Sequence, residues 1–390
     1  MKDRRIWIIF LIVFVNLLGF GIILPLLPYY AESMGAGAIT IGLLSAAYSL
    51  FQLFAAPILG ELSDKIGRRP VLIFSLIGTT ISFFLLGIAN TILVLFISRI
   101  IDGISGGNIS AAQAYIADIT SKENRTQGMG VMMAAFSLGF IIGPALGGIL
   151  SEYGYGVPAY VAAVVSLIAT LLTIFFLPES LDLKRVAVEP AKKIKKFFSL
   201  KDFYDALTHP NVGVVLTITF MVMFAFSLMQ GTFALFSEHT LHLTPKDIGY
   251  MFAFLGIIGV IVQLFLLKRI TTWLSEKKAI VVAILCISLS LLLIAFSNSA
   301  FMLYLAISLL ALGTSISNPV LSGTISKLTP ENEQGNIMGT SQSVGSFARL
   351  IGPIIGTGIY SFIGIRAPYV FGAMVLLLTT GFTLRYLKTK

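Results

Sequence analysis

An arginine and an aspartate stand three residues apart in the stretch RIIDGISGGNISAAQAYIAD, residues 99–118, which is otherwise apolar or small. Charged side chains at bilayer depth cost several kcal/mol unless they face a cavity or a partner. Helical i, i+3, i+4 spacing places on one face the side chains or glycines of Arg99, Asp102, Gly103, Gly106, Ser110 and Gln113. A carboxyl group in such a polar stripe is able to exchange a proton, because burial brings the pKa of carboxyl groups towards neutrality.

Asp102 is the only carboxylate that falls deep inside an apolar run. At a rise of 1.5 Å per residue it lies about 15 Å from the outer end of its run, near the membrane midplane. Other carboxylates fall near the ends of runs, namely Glu32, Asp64, Asp118 and Glu238. By elimination, Asp102 is the best candidate for a group that takes up and releases a proton, with Arg99 as the group that tunes it. The alternative is a structural ion pair that locks two helices, and the sequence leaves both open.

The composition is that of a membrane protein. Of the 390 residues, 56% are hydrophobic and 12% are charged, whereas about a quarter of the residues of soluble domains are charged. Apolar runs of about 20 residues, each long enough to cross a bilayer, recur almost from end to end. The sequence predicts an all-α integral membrane protein with twelve transmembrane helices in two pseudo-symmetric six-helix bundles. The predicted spans are 7–29, 40–60, 70–89, 92–118, 127–150, 157–177, 211–236, 247–267, 279–297, 300–327, 336–360 and 366–387.

The positive charge is distributed unevenly between the two sides of these spans. One side holds 23 of the 27 lysines and arginines, the other holds Lys246 and Arg366, and Arg99 and Arg349 lie inside spans. Because loops rich in Lys and Arg stay in the cytoplasm, both termini are predicted to be cytoplasmic in the inner (plasma) membrane. The net charge of +9 comes from short clusters between spans, which argues against a nucleic-acid partner and for a lipid bilayer.

The two halves of the chain resemble each other at an offset near 209 residues. The segment IIGPALGGILSEYGYGVPAY (141–160) matches LIGPIIGTGIYSFIGIRAPY (350–369) with one inserted residue. Such duplication is typical of transporters whose substrate site lies between two related bundles. The predicted domains are an N-terminal bundle over 1–180, a cytoplasmic linker over 181–210 and a C-terminal bundle over 211–390.

The loop GELSDKIGRRPVL, residues 60–72, has a fixed pattern of glycine, acid and base. Glycine permits close approach or a tight turn, and an aspartate caps a helix or pairs with bases. This stretch resembles the signature loop of the major facilitator superfamily. The resemblance implies that the cytoplasmic side is gated by Gly60, Asp64, Gly67, Arg68 and Arg69. The corresponding loop of the second half, LKRITTWLSEKKA, lacks the aspartate and the glycines, so any gating network is expected to be asymmetric.

Three more stretches extend the resemblance to the drug-antiporter branch. LLGFGIILPLLPYY (17–30) and AYIADIT (114–120) are similar to segments of the tetracycline exporters. GFIIGPALGG (139–148) resembles the fifth-span signature of proton-coupled antiporters, with Gly139, Gly143, Pro144, Gly147 and Gly148; small residues at this spacing also simply permit close helix packing. The resemblance implies a proton-coupled antiporter that exports small apolar or amphipathic compounds, works as a monomer and needs no cofactor besides the proton.

The chain also departs from the tetracycline exporters. Where they carry acidic residues in the first and third spans, this chain has Asn16 and Ser82, so tetracycline itself and that arrangement of coupling residues are not implied. Arg349 lies in the eleventh span, where it either binds an anionic substrate or pairs with Asp102. An anionic metabolite is therefore the alternative substrate.

The superfamily resemblance also implies which spans line the substrate cavity, namely the first, fourth, seventh and tenth. The seventh span is rich in Met and Phe, which suit loose apolar recognition; ordinary packing explains any single one of them as well. The candidate lining residues are Asn16, Phe20, Tyr48, Gln52, Gln113, Met229, Gln230, Asn318 and Arg349.

Other classes of protein fit less well. An intramembrane enzyme needs a nucleophile with a base, or metal ligands, inside the spans, but His209, His239 and His242 fall at span ends or in loops. No metal site is predicted, although Glu238, His239 and His242 lie close together. The G-x-x-x-x-G-K-[ST] phosphate loop of ATP-driven pumps is absent from the sequence. A receptor without transport on the same scaffold remains the alternative from another class.

Overall fold

The chain folds into helices joined by short loops. The computed structural model describes residues 4–121, 124–181, 208, 212–329 and 334–387, and these residues contain no β-strand. The predicted linker, residues 181–210, lies almost entirely outside them. The α-helices are α1 (Arg4–Glu32), α2 (Ala38–Ile66), α3 (Arg68–Gly87), α4 (Ile92–Ser105), α5 (Ile109–Ile119), α6 (Arg125–Leu150), α7 (Val157–Phe176), α8 (Gly213–Leu241), α9 (Pro245–Ile261), α10 (Leu267–Trp273), α11 (Glu276–Ala295), α12 (Ala300–Leu328), α13 (Gln334–Phe362) and α14 (Ala367–Tyr386).

Within the described residues, eleven helical segments are long and apolar enough to cross a membrane. The helix α13, with 29 residues, is also long enough but more polar. A helix satisfies its own backbone hydrogen bonds, which a lipid-facing segment requires. Polar caps mark several starts: the hydroxyls of Thr91, Ser275 and Ser299 accept backbone N–H groups of the first turn of α4, α11 and α12. The prediction of an all-α multi-pass membrane protein is confirmed.

Two predicted spans are not continuous α-helices. The fourth span was expected to be one helix over 92–118, but α4 and α5 are separated by a 3₁₀ turn at Gly106–Asn108. Two successive glycines favour this break, since glycine is the weakest helix former after proline. The eighth span contains a π-helical segment, Val262–Leu266, between α9 and α10. The regular helical spacing assumed for residues 99–113 is therefore interrupted in its middle.

The described residues form two compact units. The first unit takes its residues from 1–36, 47–197 and 244–253, and the second from 37–46, 198–243 and 254–390. These ranges differ from the predicted domains by the exchange of two short segments. The core of the first unit is apolar, with fully buried side chains from α1, α3 and α5, such as Ile12, Leu72 and Tyr115.

Corresponding helices of the two units are in close contact through glycines. In the first unit a Cβ atom at Gly143 of α6 would lie 2.6 Å from the Leu18 carbonyl oxygen of α1. In the second unit a Cβ atom at Gly352 of α13 would lie 2.7 Å from the Ser227 Cβ atom of α8. Gly143 and Gly352 are 209 positions apart, so the repeat seen in the sequence is present in the packing as well. Small residues stabilise such pairs because they let two backbones approach.

Candidate functional site

The buried ion pair of the first unit is formed by Arg99 and Asp102 of α4. Their exposed fractions are 2% and 5%, and Arg99 Nη2 lies 3.1 Å from Asp102 Oδ2. The i, i+3 spacing on one helix explains this proximity. Breaking a buried pair by removing one partner costs several kcal/mol, because the other charge is left uncompensated. The stability of this site therefore depends on both charges of the pair.

Aromatic and amide side chains surround this pair. The Arg99 guanidinium carbon lies 5.8 Å from the centre of the Tyr48 ring, which packs against Phe20 with 5.7 Å between ring centres. Gln52 Nε2 donates hydrogen bonds to the Tyr48 hydroxyl (3.0 Å) and to the Gly106 carbonyl at the helix break (3.2 Å). The structure thus brings together several predicted cavity residues of the first unit around Arg99.

Asn16 and Ser82, the two neutral residues singled out in the first and third spans, each bind another neutral group. Asn16 Nδ2 donates to the Ile12 carbonyl (3.1 Å) and to Asn108 Oδ1 (3.2 Å). The buried hydroxyl of Ser82 donates to the Ser98 carbonyl at 2.9 Å. These bonds join α1 and α3 to the fourth span without adding charge. Among the described residues, Asp102 is thus the one carboxylate that is buried.

The loop between α2 and α3 is built around Gly67 and Glu179. Gly67 has a φ of +105°, which side-chain-bearing residues adopt only with strain. Glu179, which follows α7, accepts hydrogen bonds from the backbone N–H groups of Arg68 (2.9 Å) and Arg69 (3.0 Å). A carboxylate at a helix N-terminus is favoured by the free N–H groups and the helix dipole. Sequence reasoning missed Glu179, although the Pro-Glu-Ser triplet at the end of the sixth span marks a possible cap.

Arg68 ties this loop to the end of the fourth span. Its Nε atom lies 3.2 Å from Asp118 Oδ2, its Nη1 atom pairs with Asp64, and it also donates to the Ser63 hydroxyl. The Ser180 hydroxyl donates to the same oxygen of Asp118 at 3.0 Å. The predicted basic cluster is therefore part of a network that reaches three different spans.

Two residues of the predicted gating loop lie differently from the expectation. Gly60 was expected at the end of the second span, but α2 continues to Ile66 and an added Cβ atom would meet Ser110 Oγ only at 3.4 Å, an ordinary contact. Asp64 was expected to cap a helix or to pair with the neighbouring bases; it pairs with Arg68, whereas Arg69 Nη2 donates to the Ile174 carbonyl of α7. Ile174 lies in the last turn of α7, where carbonyls lack partners within the helix and basic side chains satisfy them well.

The glycines of the fifth-span motif line two faces of α6. Gly139 and Gly143 contact α1, where added Cβ atoms would lie 2.7 Å from Leu17 Cβ and 2.6 Å from the Leu18 oxygen. Gly147 also contacts α1, at Ile22. Gly148 faces the start of α9, with 2.7 Å from its added Cβ atom to the Pro245 oxygen. Pro144 lies inside α6 and its carbonyl contacts Gly249, also in the first unit.

The remaining candidate cavity residues have different surroundings. Gln113 and Asn318 are exposed, and Gln230 is half-buried. Met229 is only 1% exposed and packs inside the second unit, and its place on a cavity wall stays a prediction. The seventh span is apolar all round, so its sequence does not show which face is internal.

Arg349 lies half-buried on α13 of the second unit. Its Nη2 atom donates to the Ser346 hydroxyl at 3.0 Å. The backbone oxygen of Arg349 accepts from the Ser227 hydroxyl of α8 at 3.5 Å. A guanidinium has the planar set of donors that suits recognition of carboxylates and phosphates.

The second unit has its own ion pair at the junction of its third and fourth spans. Glu276, in the first turn of α11, pairs with Lys327 near the end of α12 and accepts a hydrogen bond from Thr324. Lys327 is 209 positions after Asp118. The first unit thus has its base on the third span and its acid on the fourth, and the second unit has the opposite arrangement.

The histidine cluster does not form a metal site among the described residues. No group of three or more His, Cys, Asp or Glu side chains there is placed to hold a metal ion. His239 Nδ1 instead lies 2.7 Å from the Tyr360 hydroxyl, which joins the ends of α8 and α13. His209 lies outside the described residues.

Comparisons with known proteins agree on one family. A sequence profile of the Major Facilitator Superfamily matches residues 9–289 and 266–390. Multidrug resistance protein 2 of Bacillus subtilis (strain 168) is 31% identical over 396 residues, which cover 100% of this chain and 97% of that protein. The class C tetracycline resistance protein of Escherichia coli is 31% identical over 368 residues, which cover 93% of this chain and 91% of that protein.

Solved structures show the same fold. The human organic anion transporter MFSD10 (TETRAN) has a TM-score of 0.72 and 27% identity, with 97% of this chain and 99% of that chain covered. The nucleoside transporter NupG has a TM-score of 0.79 at 14% identity, with both chains covered fully, and shows the fold alone. These are folds of transporters and not of enzymes. Both the profile match and the full-length relatives therefore establish that the chain belongs to the Major Facilitator Superfamily of membrane transporters.

Proposed function

We propose that this transporter is a proton-coupled antiporter that exports small apolar or amphipathic compounds by alternating access. The observation that carries the proposal is the buried Arg99–Asp102 pair, the one place in the described spans where a carboxylate sits at bilayer depth. The similar proteins named for multidrug and tetracycline resistance support the class of substrate. Asp102 would carry the proton, and Arg99 would hold the Asp102 side chain in both its protonated and its charged form.

The other elements of the proposal follow the sequence. Two six-helix bundles, joined by the 181–210 linker, would function as a monomer with both termini in the cytoplasm. The loop with Asp64, Gly67 and Arg68 would gate the cytoplasmic side. The polar and aromatic side chains around Arg99, which include Asn16 and Phe20, would contact the substrate.

Reconstitution into proteoliposomes tests the coupling. With an imposed pH gradient, wild-type protein should accumulate ethidium, an amphipathic dye, and substrate should induce proton flux. Asp102→Asn should abolish accumulation against the gradient while leaving downhill exchange, because a neutral amide is unable to exchange the proton. Asp247→Asn, the same change at the start of α9, is the matched control and should transport as wild type does. Unchanged uphill transport by Asp102→Asn would contradict the proposal that Asp102 carries the proton. Absence of substrate-induced proton flux in the wild type and in every variant would favour a receptor that does not transport.

A second candidate substrate is an organic anion. Arg349 and its Ser346 partner place a cation on the polar face of α13, and one similar structure is that of an organic anion transporter. If this is correct, Arg349→Ala should abolish transport of an organic anion such as fluorescein, whereas Arg349→Lys should retain part of it. If Arg349→Ala loses both ethidium export and fluorescein transport, the role of Arg349 is instead structural.

A further inference from the structure

The burial of Arg99 raises the question of what holds its charge. The side chain is 2% exposed, and its Nε and Nη2 atoms have no hydrogen-bond partner of good geometry among the described residues. Its contact with Asp102 is a close ion pair, at 3.1 Å, but is not aligned as a hydrogen bond. The guanidinium is therefore held partly by something other than the carboxylate.

The Tyr48 ring is the second support. The guanidinium carbon lies 5.8 Å from the ring centre, within the range in which the face of an aromatic ring attracts a cation. This attraction strengthens where water is excluded. The ring lies on α2 and Asp102 lies on α4, so Arg99 is shared between two helices.

Tyr48 is itself fixed by contacts with the break in the fourth span. Gln52, one turn along α2, donates to the Tyr48 hydroxyl and to the Gly106 carbonyl. A Cβ atom at Gly103 would lie 2.5 Å from the backbone carbonyl oxygen of Tyr48, and one at Gly106 would lie 2.8 Å from the Tyr48 hydroxyl oxygen. Two glycines of the polar stripe thus make room for the tyrosine.

We propose that Tyr48 is a positioning residue that holds Arg99 on its ring and away from full alignment with Asp102, so that Asp102 is able to take up a proton. The proposal rests on the proposed proton coupling. When Asp102 is neutral, the ring remains as support for the cation. When Asp102 is charged, the ring competes for the guanidinium and weakens the ion pair.

Three titratable groups meet at this contact. The titratable groups that face one another are Asp102 and Arg99 of α4 and the phenol of Tyr48. From α1 the packed neighbour of Tyr48 is Phe20, and from α3 Ser82 meets α4 through Ser98. Changes at Tyr48 are therefore expected to act on the titration of Asp102 rather than on another charge.

The pH dependence of melting temperature tests the positioning role without a known substrate. Protonation of one group makes stability depend on pH, so the difference between wild type and Asp102→Asn should show a step over pH 4–9. Without the ring, Arg99 turns fully onto the carboxylate, which then keeps its charge to lower pH. For Tyr48→Met, the corresponding step is the difference in melting temperature between Tyr48→Met and the Tyr48→Met/Asp102→Asn double variant. This step should lie about one pH unit below the step of wild type, as expected for the loss of a desolvated cation–ring contact.

Tyr48→Phe is the matched control. It keeps the ring and loses the hydroxyl, so its step should stay within about 0.3 pH units of wild type. If Tyr48→Met is not stably folded, Tyr48→Leu serves as the second variant without a ring. An unshifted step in the variants without a ring, an equal shift in Tyr48→Phe, or no Asp102-dependent step in wild type overturns the proposal. Failure of the proposed function would appear separately, as uphill ethidium transport by Asp102→Asn in proteoliposomes.

Discussion

The close contact between α1 and α6 predicts a large difference between two glycines of the same helix. A Cβ atom at Gly143 would lie 2.6 Å from the Leu18 oxygen and 2.9 Å from Gly21 Cα. An ordinary contact needs about 3.4 Å, so the helices would have to separate locally by about 0.8 Å. These neighbours are backbone atoms, which are unable to rotate away. Gly143→Ala should therefore carry the cost of overpacking, about 1–3 kcal/mol.

Gly130, also in α6, has no atom within 4 Å of its added Cβ position. Gly130→Ala gains the same helix propensity, about 1 kcal/mol, so this gain cancels when the two variants are compared. At roughly 2–4 °C per kcal/mol for a unit of this size, a difference of about 2 kcal/mol makes Gly143→Ala melt about 4–8 °C below Gly130→Ala.

Thermal unfolding of purified protein in detergent micelles, followed by intrinsic fluorescence, measures this difference. Transport by Gly143→Ala should fall along with its stability, while Gly130→Ala should transport as wild type does. Melting temperatures within about 1 °C of each other would refute the reasoning, because the helix contact would then yield without cost.

Two further predictions concern the charged ends of the spans. Glu179→Gln should lower the melting temperature by about 2–4 °C, because a half-buried carboxylate that accepts two N–H groups of α3 contributes about 1 kcal/mol more than an amide. Glu152→Gln removes an exposed acid and is the control; an equal loss of melting temperature in this variant would contradict the prediction. Lys327→Gln should change it by less than about 2 °C, because the exposed pair with Glu276 contributes less than about 1 kcal/mol; a larger loss would show that the pair is not screened by water.

The sequence was sufficient for those features that depend on neighbours along the chain. Apolar runs predicted the spans, because each helix in lipid must satisfy its own backbone. The spacing of Arg99 and Asp102 placed them side by side on one helix face. Repeated glycines in the two halves indicated close helix pairs, and Gly143 and Gly352 form them at corresponding positions of the two units.

Features that depend on contacts between distant residues were missed. Glu179 reaches Arg68 across 111 positions, and no local pattern encodes such a contact. Met229 was placed on a cavity wall by the family resemblance alone, since its helix is apolar on every side and its sequence distinguishes no face. The break at Gly106–Asn108 was not predicted because glycine alone is common in membrane helices; the Gln52 contact with Gly106 fixes the break here.

The opposite polarity of the two junction pairs limits how the halves of the gene are able to recombine. A graft that put the Arg68 loop at the start of α11 would set an arginine against Lys327, whereas the parent halves have Arg68 with Asp118 and Glu276 with Lys327. Like charges in contact repel. The repeats are thus chemically distinct although they share one geometry. A working protein of two identical halves would need both residues of one pair exchanged together, so that acid and base lie on the same spans in each half.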